Sequence, residues 1–299
     1  MTVDWRGVFP AITTPFNADL SVDHGFLADH ASWMVDHGST GLVPVGSLGE
    51  GATLSPTEKR QVLETCVRAV GDRVPIVAGI AALGTAEAVQ LARDAEALGC
   101  RGLMVLPPYV YSTDWREMKA HVAAVIGATA VPCLLYNNPV AYGTDFLPGQ
   151  VAELAREHPN LEAVKESSTD VRRVTAIRAL LGHRLEVLVG VDDAIVEGID
   201  AGATGWIAGL VNAFPAESVA LFRHAREGRR NEALELYRWF LPLLRLDTVP
   251  KFVQLIKLVQ DKVGKGSARV RPPRLALQGE ELGQALATID RALATRPRM

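Results

Sequence analysis

The stretch 161–190 has the sequence LEAVKESSTDVRRVTAIRALLGHRLEVLVG, and it contains the pattern that decides the fold. Two short apolar runs, 161–165 and 185–190, flank a longer segment that begins after Asp170 and ends at Gly182. Aspartate is a common cap at helix starts, and glycine often ends helices. A buried strand, a helix and a second buried strand in succession predict one βαβ unit of a parallel sheet.

The same alternation extends over most of the chain. Helix-like segments separate eight apolar or β-branched runs, at 8–12, 41–45, 76–79, 102–106, 132–136, 161–165, 185–190 and 205–208. Crossover helices of this kind imply parallel strands, and eight units predict a (β/α)₈ TIM barrel, an α/β fold that typically needs about 250 residues. An open, doubly wound sheet is the alternative, but PAITTP at 10–15 is not its glycine-rich fingerprint.

Beyond residue 215 the pattern becomes purely helical. We therefore expect the barrel to span 1–215 and extra C-terminal helices to span 216–299. No stretch rich in proline, glycine or serine separates the two parts, so the helices are expected to pack on the barrel as one structural unit.

Composition and charge exclude several classes of function. The 299 residues are 48% hydrophobic with a formal net charge of -3, and lysine and arginine are scattered, so neither nucleic acid nor a membrane is an expected partner. No apolar stretch approaches the roughly 20 residues that a membrane span needs, and residues 1–6 do not resemble a signal peptide, which predicts a cytoplasmic protein. Three cysteines without C-x-x-C spacing and seven dispersed histidines predict no metal site, and no cofactor is expected.

Catalytic residues of a barrel lie at the carboxyl ends of its strands. Lys165 is there on the sixth run, and an amine kept away from water can attack a carbonyl to form a Schiff base. Tyr136 ends the fifth run and can move protons, although a strand-end tyrosine often only packs. The turn 46–50 (GSLGE) follows the second run, where Gly46, Ser47 and Leu48 can hold a carboxylate.

Three of these segments together resemble one known family. GSLGE at 46–50, YNNP at 136–139 and VKES at 164–167 look like the signatures of the dihydrodipicolinate synthase / N-acetylneuraminate lyase family. The resemblance implies a metal-free class I lyase of barrel fold that is commonly a homo-oligomer, a tetramer or dimer. It also implies that Lys165 condenses with a 2-oxo acid, that Tyr136 relays protons, and that the Ser47–Leu48 backbone holds the substrate carboxylate.

Other candidate residues lie on the last two runs. Gly190 and Ile207 are expected to line the substrate site together with Asp192. Asp192 and Asp193 could bind substrate hydroxyls or ammonium, and the alternative is that Asp192 caps the helix that begins near Ala194.

Departures from the family pattern bear on the substrate. Ala141 stands where dihydrodipicolinate synthases have an arginine for the carboxylate of aspartate semialdehyde, and Leu48 replaces a second threonine. The family's interface tyrosine would align near Val110, so either Tyr111 takes over its role or the relay is absent.

The segments 136–143, 165–173 and 242–254 are most similar to one branch of the family, which includes deaminases of 1-pyrroline-4-hydroxy-2-carboxylate. The resemblance implies a cyclic imino acid substrate that is converted to 2,5-dioxopentanoate and ammonia. A 2-keto-3-deoxy sugar acid dehydratase and a 2-oxo acid aldolase are close alternatives. A non-catalytic 2-oxo acid sensor is the alternative from another class, although such a protein would be expected to have lost Lys165 or Tyr136.

Overall fold

The computed structural model describes residues 3–108, 110 and 114–298. In these residues seven strands form one parallel sheet in the order β1-β7-β6-β5-β4-β3-β2. The strands are β1 (Gly7–Pro10), β2 (Val77–Ile80), β3 (Gly102–Val105), β4 (Cys133–Asn137), β5 (Leu161–Glu166), β6 (Glu186–Val189) and β7 (Gly205–Ala208). Seven of the eight predicted runs therefore correspond to regular strands.

The predicted run 41–45 is the exception, because only isolated bridges form there. Leu42 pairs with Ile76 on one side, and Val43 pairs with Ala11 on the other, both in parallel. Pro44 has no N–H to donate, and Val45 has a left-handed φ of 54°, which ends the extended conformation. This segment nevertheless lies between the two ends of the sheet and closes it into the predicted (β/α)₈ barrel.

Helices connect the strands and surround them. The helices of the described residues are α1 (His24–Asp36), α2 (Pro56–Val70), α3 (Thr85–Ala97), α4 (Trp115–Ile126), α5 (Pro139–Tyr142), α6 (Pro148–Glu157), α7 (Arg172–Leu181), α8 (Ile195–Asp200), α9 (Pro215–Arg226), α10 (Arg230–Leu244), α11 (Phe252–Lys262) and α12 (Gly279–Ala294). None of these helices is long and apolar enough to cross a membrane.

Local signals at the helix starts match the predictions in part. Ser55 and Glu58 form a capping box at the start of α2, and Asp114 accepts a hydrogen bond from the Arg116 N–H at the start of α4. The cap residue of α7 is Val171, one residue after the predicted Asp170. Asp170 still accepts a hydrogen bond from the Arg172 N–H at 3.1 Å.

The core lies inside the sheet and between the sheet and its helices. Strands β2, β3, β4 and β7 are buried at every position, as expected for parallel strands that are covered on both faces. The three cysteines are buried free thiols, and burial raises the pKa of Cys66 to about 12. Helix α9 packs on β1, and α10 packs on α9 and α12. The division of the chain at residue 215 stays a prediction.

A buried ion pair joins the C-terminal helices to the barrel. Lys257 Nζ on α11 lies 2.5 Å from Glu50 Oε1, and the two side chains are 2% and 0% exposed. Glu50 ends the 46–50 turn in a left-handed conformation, and its Oε2 accepts the Arg271 N–H at 3.1 Å. Removal of one partner would leave a charge buried without its counterion, which is costly.

We predict that Lys257→Met lowers the free energy of unfolding by about 3–5 kcal/mol, because Glu50 loses its closest counterion. Urea unfolding monitored by circular dichroism measures this change. Lys251→Met is the control, since the Lys251–Glu281 pair has 51% and 44% exposed side chains and such surface pairs contribute little. Equal losses from the two substitutions would show that the buried pair has no special role.

Candidate active site at the carboxyl ends of the strands

A cavity of about 400 Å³ opens at the carboxyl ends of the strands. Of the eight predicted site residues, seven line it: Gly46, Ser47, Leu48, Tyr136, Lys165, Gly190 and Ile207. Residues from the five segments that contain them, far apart in sequence, therefore meet in one place. The volume suits a small-molecule substrate.

Lys165 lies on β5 near the centre of this group. Its side chain is 7% exposed, and Nζ lies 4.3 Å from the centroid of the Tyr136 ring. No carboxylate of the described residues forms an ion pair with this amine. Gly190 leaves the space that the lysine needs, because a Cβ at that position would come within 2.5 Å of Lys165 Cε. The amine is thus held by packing, and it remains available to a ligand in the cavity.

Tyr136 is the direct neighbour of Lys165 across the sheet, since the two residues are paired in the β4–β5 register. The Tyr136 hydroxyl accepts a hydrogen bond of 2.9 Å from Asn138 Nδ2. The Tyr142 ring packs edge-on against the Tyr136 ring at 5.8 Å, and the Tyr142 hydroxyl contacts Ser47 Oγ. Hydroxyl groups thus connect the surroundings of the amine with the 46–50 turn.

The 46–50 turn is held by backbone and side-chain hydrogen bonds. The Gly51 N–H donates to the Gly46 carbonyl at 3.1 Å, and Thr14 Oγ1 donates to the Gly49 carbonyl at 2.6 Å. Leu48 is buried, while Ser47 faces the cavity beside it. The turn is therefore a fixed wall opposite the lysine strand, which suits the binding of a carboxylate.

A polar network fixes the ends of β4 and β5. Asn137 Nδ2 donates to Glu166 Oε2 at 3.1 Å and to Asp145 Oδ1 at 3.2 Å. Burial raises the pKa of Glu166 above its ordinary value. Arg173 is bound to both oxygens of Asp145, at 2.5 and 2.8 Å, and Arg172 pairs with Asp170. Neither arginine lines the cavity.

Asp192 is the predicted site residue that does not line the cavity. Its carboxylate is fully buried and accepts hydrogen bonds from Trp206 Nε1, the Gly209 N–H and the Leu210 N–H, at 3.1, 3.1 and 2.9 Å. Burial raises its pKa to about 6. It does not cap α8, whose cap residue is Ala194, because the carboxylate points to the end of β7 instead.

Asp193 points in another direction. Its Oδ2 lies 3.5 Å from Arg245 Nε, and its backbone carbonyl accepts a hydrogen bond from the Tyr237 hydroxyl. A role of Asp192 or Asp193 in substrate binding stays a prediction.

Several cavity residues were not predicted from the sequence. Asp247, Thr248, Val249 and Pro250 approach from the segment between α10 and α11, and Arg274 approaches from the segment before α12. Arg274 Nη1 lies 3.7 Å from Glu50 Oε2. These residues follow no strand, so the pattern of strand ends gave no signal for them. Tyr111 lies outside the described residues, so its role as the interface tyrosine stays a prediction.

The described residues contain no group of three or more histidines, cysteines, aspartates or glutamates arranged to hold a metal ion. A barrel with a lysine at a strand end, a tyrosine beside it and a fixed turn opposite defines the class of lysine-dependent Schiff-base lyases. The sequence profile of the Dihydrodipicolinate synthetase family matches residues 4–292. The chain belongs to this family, whose enzymes are class I lyases.

Similar proteins cover nearly the whole chain. The 4-hydroxy-tetrahydrodipicolinate synthase of Rhizobium meliloti (strain 1021) is 34% identical over 273 residues, which are 91% of this chain and 92% of that protein. The enzyme of the same name from Haloarcula marismortui is 34% identical over 292 residues, 96% of this chain and 95% of that protein.

Solved structures have the same fold. The 4-hydroxy-tetrahydrodipicolinate synthase from Methylacidiphilum fumariolicum SolV is 29% identical, with a TM-score of 0.91 over 97% of each chain. The dihydrodipicolinate synthase from Acinetobacter baumannii, solved with pyruvate, is 28% identical, with a TM-score of 0.90 over 96% of this chain and 99% of that one.

We predict that Lys165→Ala abolishes both turnover and the trapping of pyruvate by borohydride, because Lys165 is the only lysine among the described residues that line the cavity. Mass spectrometry of the reduced protein measures the trapping. Lys59→Ala is the control, since the Lys59 amine is also buried but donates to the Ala81 carbonyl outside the cavity. Trapping that persists in Lys165→Ala would assign the nucleophile to another lysine.

For Tyr136→Phe we predict a kcat that is lower by a factor on the order of 10²–10⁴, because the ring stays and only the proton-transferring hydroxyl is lost. KM is expected to change little, since the carboxylate binds elsewhere. Steady-state kinetics test this, with Tyr237→Phe as a control outside the cavity. An unchanged kcat would mean that Tyr136 is only a packing residue.

Proposed function

We propose that this protein is a class I lyase in which Lys165 forms the imine with a small 2-oxo or cyclic 2-imino acid. Support comes from the position of the amine, which faces a cavity and has no carboxylate of the described residues as an ion-pair partner. The backbone of the 46–50 turn, together with Ser47, would bind the carboxylate next to the reacting carbon. Tyr136 would move protons to and from the carbon beside the imine.

Within this class we propose the deamination of 1-pyrroline-4-hydroxy-2-carboxylate to 2,5-dioxopentanoate and ammonia. The observation that carries this proposal is the wall formed by Val140 and Ala141, which offers the cavity only alkyl groups. A substrate with a single carboxylate needs no cation there. Lys165 would attack the C=N carbon and open the ring to a primary amine on C5, and the enamine that follows would expel the 4-hydroxyl as water. The remaining double bond would then move to give an imine at C5, which water hydrolyses to the aldehyde and ammonia. A second water would hydrolyse the Lys165 imine and release 2,5-dioxopentanoate.

A second candidate is the condensation of pyruvate with an aldehyde that carries its own carboxylate. The names of the similar enzymes favour it, and so does Arg274, which brings a guanidinium to the cavity from another direction than Ala141. Arg274 lies near Glu50, whose charge partly neutralises it. The dehydration of a 2-keto-3-deoxy sugar acid would use the same imine and the same elimination. The homo-oligomeric state and the cytoplasmic location stay predictions.

We predict ammonia release from 1-pyrroline-4-hydroxy-2-carboxylate and no condensation of pyruvate with aspartate semialdehyde. The two assays are run side by side on the wild type and on Arg274→Gln. Ammonia release is expected in both proteins, because the single carboxylate is bound by the 46–50 turn. Condensation by the wild type that is lost in Arg274→Gln would instead establish the second candidate. Dehydration of a 2-keto-3-deoxy acid without ammonia release would establish the third.

A further inference from the structure

A carboxyl group that has no role in the proposed function so far lines the same cavity as Lys165. Asp247 ends the short helical turn Arg245–Asp247 that follows α10, and it lines the cavity together with Gly209 at the end of β7. Its carboxyl lies so close to Gly209 that any Cβ at that position would overlap it. The carboxyl group therefore lies against the carboxyl end of β7, at the side of the cavity that Gly209 lines.

Asp247 and Asp192 meet at Gly209 but differ in their hydrogen bonds. Asp192 accepts the Gly209 and Leu210 N–H groups and Trp206 Nε1, which stabilise a carboxylate. Asp247 Oδ1 is buried and has no hydrogen-bond partner among the described residues. Two carboxyl groups this close to each other do not readily ionise at the same time. Asp247, whose buried oxygen has no hydrogen-bond donor, is therefore the carboxyl group that holds a proton more readily.

The charges around Asp247 agree with this assignment. Burial, together with the neighbouring Asp192 and Asp193, raises the pKa of Asp247 well above its ordinary value, while Lys165 acts in the opposite direction. The nearest other cation on its own turn is Arg245, which is paired with Asp193 at 3.5 Å. Of the two carboxyl groups at Gly209, Asp247 is thus the one that holds a proton more readily, and it lines the cavity.

We propose that Asp247 is the general acid that protonates the hydroxyl group leaving the substrate. This proposal rests on the proposed function, in which the enamine on Lys165 expels a hydroxyl from the second carbon beyond the imine carbon. The C–O bond breaks, and its electron pair leaves with the oxygen. The oxygen takes the Asp247 proton and departs as water. The enamine double bond moves one position along the chain, while the nitrogen lone pair restores the iminium.

The two proton transfers would occur on opposite sides of Lys165. Tyr136 is on β4, next to β5, and Asp247 lies against the end of β7, two strands away on the other side. The Tyr136 hydroxyl could therefore remove the proton from the carbon beside the imine while Asp247 serves the leaving group. After the elimination, solvent that enters the cavity would return a proton to Asp247.

The test compares wild type, Asp247→Asn and Asp247→Glu, with the exposed Asp200→Asn as a control outside the cavity. Asp247→Asn should keep borohydride trapping of pyruvate and the exchange of pyruvate methyl protons in D₂O, because neither needs a leaving group. Elimination from hydroxylated substrates should fall by a factor on the order of 10²–10⁴, and Asp247→Glu should restore part of it.

In the wild type kcat should fall as pH rises through the raised pKa of Asp247, and this decrease should be absent from the pH profile of Asp247→Asn.

An infrared difference spectrum, wild type minus Asp247→Asn at neutral pH, gives a readout that does not depend on the substrate. It should contain the carbonyl band of a protonated carboxylic acid. Absence of that band, unchanged elimination, or equal losses of exchange and elimination would each overturn the proposal. A wild type that exchanges pyruvate protons and contains the band but does not release ammonia would refute the proposed deamination only. The role of Asp247 would then be judged on 2-keto-3-deoxy acids, where loss of dehydration in Asp247→Asn is expected and retention would refute it.

Discussion

The ion pair between Glu50 and Lys257 holds together the parts of the protein on which the site depends. Glu50 ends the turn that carries Ser47, and Lys257 belongs to α11, more than two hundred residues later. Burial of two charges is costly, and their attraction offsets this cost only in close contact, such as the 2.5 Å found here. The pair therefore fixes α11 over the turn, and α11 in turn packs on the segment that carries Asp247.

The electrostatics of the cavity depend on which hydrogen-bond and ion-pair partners each charged group has. Asp192 and Glu166 are bound by backbone and side-chain N–H donors, so they position the strand ends without pairing with Lys165. The lysine amine is packed against an aromatic ring, and Asp247 lacks a donor for its buried oxygen. The lysine amine and the buried oxygen of Asp247 thus belong to residues that line the cavity, and neither atom has a hydrogen-bond partner among the described residues, which is an arrangement expected where chemistry takes place.

The strand ends of the site could be predicted because alternation along parallel strands determines which residues reach the same edge. Lys165 and Tyr136 were found in this way, and they are neighbours in the register. The prediction of a regular strand at 41–45 was wrong, because Pro44 has no backbone N–H to donate and Val45 has a left-handed φ. Asp247 and Arg274 could not be predicted as site residues, because they lie in the segments that connect the C-terminal helices α10, α11 and α12. Only tertiary packing determines where those segments meet the barrel.

Every step proposed for this protein requires Lys165 to carry the substrate as an imine at the carboxyl ends of the barrel strands. The most direct test of this requirement is borohydride reduction of the wild-type protein during turnover of 1-pyrroline-4-hydroxy-2-carboxylate, followed by trypsin digestion and mass spectrometry. We expect a five-carbon adduct on the peptide 157–172, with the modification and a missed cleavage at Lys165. An adduct on another lysine, or an unmodified peptide after full inactivation, would contradict it.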